Sequence, residues 1–143
     1  VICYLDTSAL VPLLVAEPGT ARARELWERA AGLASCRLVY VETAAALAQA
    51  HRMGRLDATA HDTAAKLLDR LYDDLDIVVI DDHLVRRAAA LAVQFALRGY
   101  DAVHCAAAER LAAPDLVAAS GDRRLLEAWQ GLGIATADTS PSG

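Results

Sequence analysis

Lysine is nearly missing from this chain: Lys66 is the only one in 143 residues, and it falls inside a stretch of helical period. That excludes a phosphorelay receiver, whose acidic pocket needs a lysine at the end of a late strand. Glycine is also sparse, and none closes the first apolar segment, so the glycine-rich turn of P-loop and Rossmann nucleotide-binding folds is absent. The cysteines Cys3, Cys36 and Cys105 are odd in number, irregularly spaced and without a CxxC pair. They read as small buried side chains in a reducing compartment, which excludes a disulfide framework. His51, His61, His83 and His104 share no compact ligand spacing, which argues against zinc. No apolar run approaches the roughly 20 residues that span a bilayer, and no basic then apolar leader opens the chain. The expectation is a cytoplasmic protein with no membrane partner.

What is present fits one domain, because a chain of this length buries roughly two thirds of the surface it exposes when unfolded. The formal charge of -5 argues against holding nucleic acid by bulk electrostatics. It leaves room for a nucleic-acid substrate, since bound cations make an acidic cleft attractive. Most arginines, Arg86, Arg98 and Arg110 among them, read as solvated helical surface. Arg123 and Arg124 directly follow an acid and read as phosphate contacts.

Short apolar segments alternate with helical patterns from end to end. Strands are expected at residues 1–5, 33–37, 76–80, 116–120 and 134–137. Helices are expected from Thr20, from Val39 or Tyr40 to Met53, from Asp57 to Tyr72, after Asp82, from Asp101 and from Asp122. Gly32 is read as a helix stop, Gly99 as the end of the helix through Phe95, and Asp82 as that helix's cap. The alternation predicts an α/β fold, a three-layer α/β/α sandwich around a central, mainly parallel sheet. A single domain is expected over residues 1–137, with residues 138–143 as a flexible C-terminal tail.

Acids stand where strands end. Asp6 closes the first strand, Asp122 follows the strand 116–120, and Glu42 and Asp101 occupy the first turns of predicted helices. Each alone reads equally as a helix cap or a dipole partner. Together they predict a carboxylate cluster at the C-terminal end of a parallel sheet, where open α/β sheets bind ligands. Two such charges about 4 Å apart repel by roughly 4 kcal/mol at an effective dielectric near 20, so the cluster calls for a hard cation. Magnesium is the natural choice, with manganese a substitute. The chemistry that fits is phosphodiester hydrolysis, with Asp6 and Asp101 as primary ligands and Glu42 and Asp122 as shared or water-orienting ones. Thr7, Ser8 and Ser120 carry hydroxyls suited to orienting those carboxylates or capping locally. His104 reads as a packed or hydrogen-bonded side chain near the site. Asp81 and Asp82, acids at another strand end, are decoys for the same pattern. A haloacid-type phosphatase is disfavoured because Asp6-Thr7-Ser8 lacks a second aspartate two residues on.

Four segments in order resemble the PIN-domain ribonucleases, and most closely the VapC toxins of toxin–antitoxin pairs. They are residues 4–10 (YLDTSAL), Val41-Glu42, residues 99–104 (GYDAVH) and residues 116–125 (LVAASGDRRL). The resemblance implies a magnesium-dependent endoribonuclease with its acids at Asp6, Glu42, Asp101 and Asp122. It implies an RNA substrate, a homodimer, and a VapB-like antitoxin that inhibits the enzyme within a hetero-oligomer. Ser120 stands where the family often has threonine and keeps the hydroxyl. The alternatives are an inactive PIN-fold interaction scaffold, disfavoured because all four acids are present, and a metal-dependent DNA nuclease, disfavoured because the chain lacks length for a helical arch.

Overall fold

The computed structural model describes residues 1–140. Five strands, β1 (Ile2–Leu5), β2 (Gly32–Cys36), β3 (Asp76–Val78), β4 (Leu116–Ser120) and β5 (Ala135–Asp138), form one parallel sheet in the order β3-β2-β1-β4-β5. Seven helices lie among the described residues: α1 (Thr7–Leu10), α2 (Thr20–Arg29), α3 (Leu38–Arg52), α4 (Ala58–Asp73), α5 (Asp82–Phe95), α6 (Gly99–Arg110) and α7 (Arg123–Gly131). This is the expected three-layer α/β/α sandwich.

Period-two alternation along the central strands feeds two separate cores. Cys3 and Leu5 of β1, with Ala119 of β4, pack against Leu10, Val39, Leu47 and Leu68 on one face. Tyr4 of β1, with Leu116 and Ala118 of β4, packs against Leu84, Leu91, Ala107 and Trp129 on the other. Burying a leucine of this kind stabilises the fold by roughly 2 kcal/mol. Helix α6 is buried almost all round, through Ala102, His104, Cys105, Ala106, Ala107 and Ala108. Its small side chains let it sit deep between α5, α7 and the sheet, which brings both its first turn and His104 close to the strand ends.

The chain leaves β1 toward β2 and β3 on one side, and β4 and β5 fill the other. The direction of strand succession therefore reverses between β1 and β4, the position at which open α/β sheets form their binding crevice. Register sets the two ends level: Leu5 pairs with Ala119, and Asp6 N still bonds Ala119 O at 3.3 Å before the strands part.

Several local expectations change. Gly32 opens β2 rather than stopping α2, because α2 ends at Arg29 with Ala30 already extended. Helix α5 is capped by Asp81, whose carboxylate accepts from Leu84 N at 2.8 Å; Asp82 lies one residue inside and pairs with Arg86. The same helix ends at Ala96, in the left-handed region at φ 54°, with Leu97 N bonded back to Ala92 O. That six-to-one bond closes the helix, and Gly99 instead begins α6. The C-terminal boundary also moves: β5 runs through Asp138, Thr139 N bonds Ser120 O at 3.0 Å, and Thr139 is buried. The expected loose tail from residue 138 is thus packed through Thr139, while residues 141–143 lie outside the described part.

Two substitutions should have opposite signs. A Cβ on Gly19 would overlap the carbonyl oxygen of Thr139, so Gly19→Ala should destabilise the fold by about 1–3 kcal/mol, the usual cost of overpacking. Ala96→Gly relieves left-handed backbone and should stabilise by up to about 1 kcal/mol. Urea unfolding of both variants beside wild type reads the two signs directly.

Candidate functional site

Asp6 is the innermost of the four acids, with only 4% of its surface exposed. It caps α1 and is held from three directions. Its Oδ1 accepts from Ser8 Oγ at 2.7 Å and from Ala9 N at 3.1 Å, and its Oδ2 accepts from Ser120 Oγ at 2.8 Å. Ser8 Oγ in turn accepts from Gly121 N at 2.7 Å, and Ser120 Oγ from Asp122 N at 2.9 Å. Two hydroxyls thus tie the end of β1 to the loop after β4. None of Asp6's partners among the described residues is a cation, and burial pushes its carboxyl above the usual range despite the opposing pull of His104, the hydroxyls and Ala9.

Glu42 lies one turn into α3, not in its first turn as expected, because the helix begins at Leu38. Its Oε1 accepts from Thr7 Oγ1 at 2.9 Å and from His104 Nε2 at 2.7 Å. Burial would raise this carboxyl, but the bonds to His104 and Thr7 outweigh it and hold it below its ordinary value. Burial likewise opposes the charged form of His104, yet Cys36, Glu42 and the nearby Asp6 reverse that effect and raise the imidazole to about 10.

Asp101, in the first turn of α6, shares with Glu42 a cleft of about 710 Å³ lined also by Leu38, Ile80, Tyr100 and Val103. On its other side Asp101 shares a second hollow of about 490 Å³ with Asp122, Arg98, Arg123 and Arg124. Asp122 caps α7 through Oδ1, which accepts from Arg124 N at 2.9 Å. Arg98 stands between these two acids: its Nε is 3.2 Å from Asp101 Oδ2 and its Nη2 is 3.8 Å from Asp122 Oδ2. The side chain is 83% exposed.

The fold therefore brings Asp6, Glu42, Asp101 and Asp122 to one end of the sheet, with Thr7, Ser8 and Ser120 bonded to two of them. Arg123 and Arg124 line the hollow beside Asp122, although Arg123 leans toward Glu127 at 3.8 Å. The decoy acids lie apart and are neutralised, Asp81 by Arg110 at 2.9 Å and Asp82 by Arg86 at 2.7 Å. Sequence reasoning missed Arg98 as part of the site. The signal was its three-residue spacing from Asp101, which sets Arg98 as the residue before α6 beside an acid of that helix's first turn. Tyr4 had no such signal.

As placed, no three acidic, histidine or cysteine side chains among the described residues converge tightly enough to enclose an ion. The donor chemistry nevertheless suits a hard divalent cation. The acids supply oxygen only, Asp6 is buried with no cation bonded to it, and Arg98 already sits as a positive group between two of the others. Magnesium keeps most of its waters and takes only one or two carboxylates, so a spread set of acids matches it better than a closed cage.

The sequence model of the PIN domain matches residues 3–128. Ribonuclease VapC45 of Mycobacterium tuberculosis (strain CDC 1551 / Oshkosh) is 38% identical over 124 residues, covering 87% of this chain and 86% of that protein. Among solved structures, PAE2754 from Pyrobaculum aerophilum superposes with a TM-score of 0.70 at 26% identity, over 95% of this chain and 89% of its own. A toxin-antitoxin complex from Klebsiella pneumoniae contains a chain that superposes with a TM-score of 0.67 at 16% identity, over 98% and 99% of the two chains.

The buried charge of Asp6 should weaken the fold. In Asp6→Asn the amide oxygen keeps the bonds from Ser8 and Ala9, and the amide nitrogen donates to Ser120 Oγ once that hydroxyl turns. Removing a buried charge without losing its bonds should raise unfolding stability by roughly 1 kcal/mol. Calorimetry in EDTA measures this, and a lower melting temperature for the variant would show that Asp6 is compensated electrostatically in the free protein.

Proposed function

The chain belongs to the PIN domain family, and from that premise we propose that it is a divalent-metal-dependent endoribonuclease of the VapC toxin type, acting in the cytoplasm and restrained by an antitoxin. The observation that supports the reading is the sharing of one cleft by Glu42 and Asp101 and of the adjoining hollow by Asp101 and Asp122, with Asp6 at the end of β1 tied through Ser120 to the loop that carries Asp122. The chain around them is 38% identical to a VapC ribonuclease over most of its length.

Asp6 and Asp101 would hold magnesium, or manganese in its place, with Glu42 and Asp122 completing the set through water. When bound, the cation supplies positive charge for a phosphate oxygen and acidifies a water, which removes the need for a histidine base. The protein's own groups do the positioning. Ser8 and Ser120 fix both oxygens of Asp6, and Thr7 fixes Glu42. Arg123 and Arg124, exposed at the start of α7 beside Asp122, are placed to take phosphates of the RNA backbone. This local pairing matters because the net charge of -5 provides no general attraction for RNA.

An antitoxin partner is supported by the toxin-antitoxin complex among the structural neighbours. The acids favour a partner peptide that carries an arginine, since a guanidinium pairs with the carboxylates that would take the metal. A homodimer and a toxin–antitoxin hetero-oligomer complete the proposal. Among the described residues no helix is long and apolar enough to cross a membrane.

Total RNA incubated with the purified chain should be cut with magnesium or manganese present and left intact in EDTA. Asp6→Asn and Asp101→Asn should each reduce cleavage by more than about 100-fold, beyond the usual loss from a supporting residue, with circular dichroism unchanged. Undiminished cutting by Asp101→Asn, or in EDTA, would overturn the metal assignment.

A further inference from the structure

His104 is 1% exposed, yet both of its ring nitrogens are engaged by polar groups from other elements. Nε2 lies 2.7 Å from Glu42 Oε1 on α3, and Nδ1 lies 2.8 Å from the Tyr4 hydroxyl on β1. Cys36 Sγ of β2 sits 3.6 Å from the same Nδ1. A carboxylate only accepts, so Nε2 carries the proton that points at Glu42. The ring itself has little freedom. Tyr4 packs edge-on against it at 5.9 Å and is in turn wedged edge-on against Trp129, also at 5.9 Å, and Tyr4 and Trp129 are fully buried.

The consequence appears at Glu42. Both of that carboxylate's bonds, from His104 Nε2 and Thr7 Oγ1, fall on Oε1. Among the described residues nothing bonds Oε2, and Glu42 lines the cleft that it shares with Asp101. His104 also stands three residues after Asp101 on the same helix. One rigid element thus places Asp101 in the cleft and fixes the orientation of the acid opposite.

We infer that His104, held in place by Tyr4, is a positioning residue that pins Glu42 Oε1 and thereby keeps Glu42 Oε2 turned into the cleft toward the divalent cation. This rests on the metal reading given above and adds to it a buried arm of three residues, Tyr4, His104 and Glu42. It explains why an imidazole stands in a core that is otherwise largely apolar. A leucine there would take the imidazole partner from the buried Tyr4 hydroxyl and leave Glu42 Oε1 held by Thr7 alone.

The two ring nitrogens can be tested separately with amides. In His104→Gln the side-chain nitrogen reaches about where Nε2 lies and keeps a donor for Glu42. In His104→Asn the amide reaches only as far as Nδ1, so it keeps a partner for Tyr4 and drops Glu42. Manganese binding to the full chain, followed by calorimetry and by loss of the free-ion electron spin resonance signal, provides a readout apart from cleavage. His104→Asn should weaken manganese binding by about 10-fold or more, the range found when groups that orient metal ligands are removed. His104→Gln should stay within about 3-fold of wild type on the same scale, although both variants lose thermal stability. Tyr4→Phe removes a single oxygen and keeps the packing, and it should weaken binding by a few-fold; it decides the matter if His104→Asn does not fold. Equal manganese affinity in wild type, His104→Asn and Tyr4→Phe would overturn the positioning role while leaving the metal site standing. So would equal weakening by Asn and Gln that merely follows their melting temperatures. A wild-type chain that binds no manganese would overturn the metal reading and the positioning role together.

Discussion

A buried carboxylate with no cation bonded to it, Asp6 at the end of the central strand, is the constraint around which the rest of this domain is arranged. Its charged form is supported by the nearby His104 and by three bonds, from Ser8 and Ala9 of its own turn and from Ser120 of the neighbouring strand. Those bonds require β1 and β4 to be adjacent and level, which the Leu5–Ala119 pairing supplies. They also require the loop after β4 to fold back, and the Gly121 and Asp122 backbone bonds to the two serines hold it there. The sheet order and the hydroxyl network are thus two descriptions of one requirement. Destabilisation stored at such a point is common where a site must bind something the free protein lacks.

The other acids differ from Asp6 in how they are neutralised. Glu42 leans on a buried imidazole, while Asp101 and Asp122 share an arginine at the surface. The first contact is rigid because His104 is enclosed on every side. The second is soft, since an exposed guanidinium paired at 3.2 and 3.8 Å contributes about 0–1 kcal/mol and moves at little cost. The pocket therefore has a fixed inner wall and a yielding outer one.

The legibility of the sequence follows the same division. Acids at the ends of apolar runs announced Asp6 and Asp122, because a strand end is a local event and period-two burial marks it. The three-layer sandwich followed from alternating strands and helices, and the PIN domain motifs matched because they are contiguous. Helix limits were less visible. Ala96 ends α5 in a conformation that favours glycine, so Gly99, the obvious stop signal, lies three residues too late. Asp81 and Asp82 stand side by side as possible caps, and the bond from Leu84 N goes to Asp81. The arm of Tyr4, His104 and Glu42 was illegible for a different reason. Its members lie 100 and 62 positions apart, and each alone has the sequence context of an ordinary core or helix residue.

Fixed and yielding walls imply an order of events for any cation entering the cleft. Asp6 and Glu42 are already oriented and would hold a cation with little rearrangement, whereas Asp101 and Asp122 would be freed for one by movement of Arg98. On the proposed reading, a guanidinium arriving from a partner peptide would meet the same two half-buried acids, already arranged for a guanidinium by Arg98. On the proposed reading, metal and antitoxin therefore compete for the outer acids rather than the inner ones. The depth of Asp6, which makes it costly to the fold, is also what keeps it out of reach of a bulky competitor.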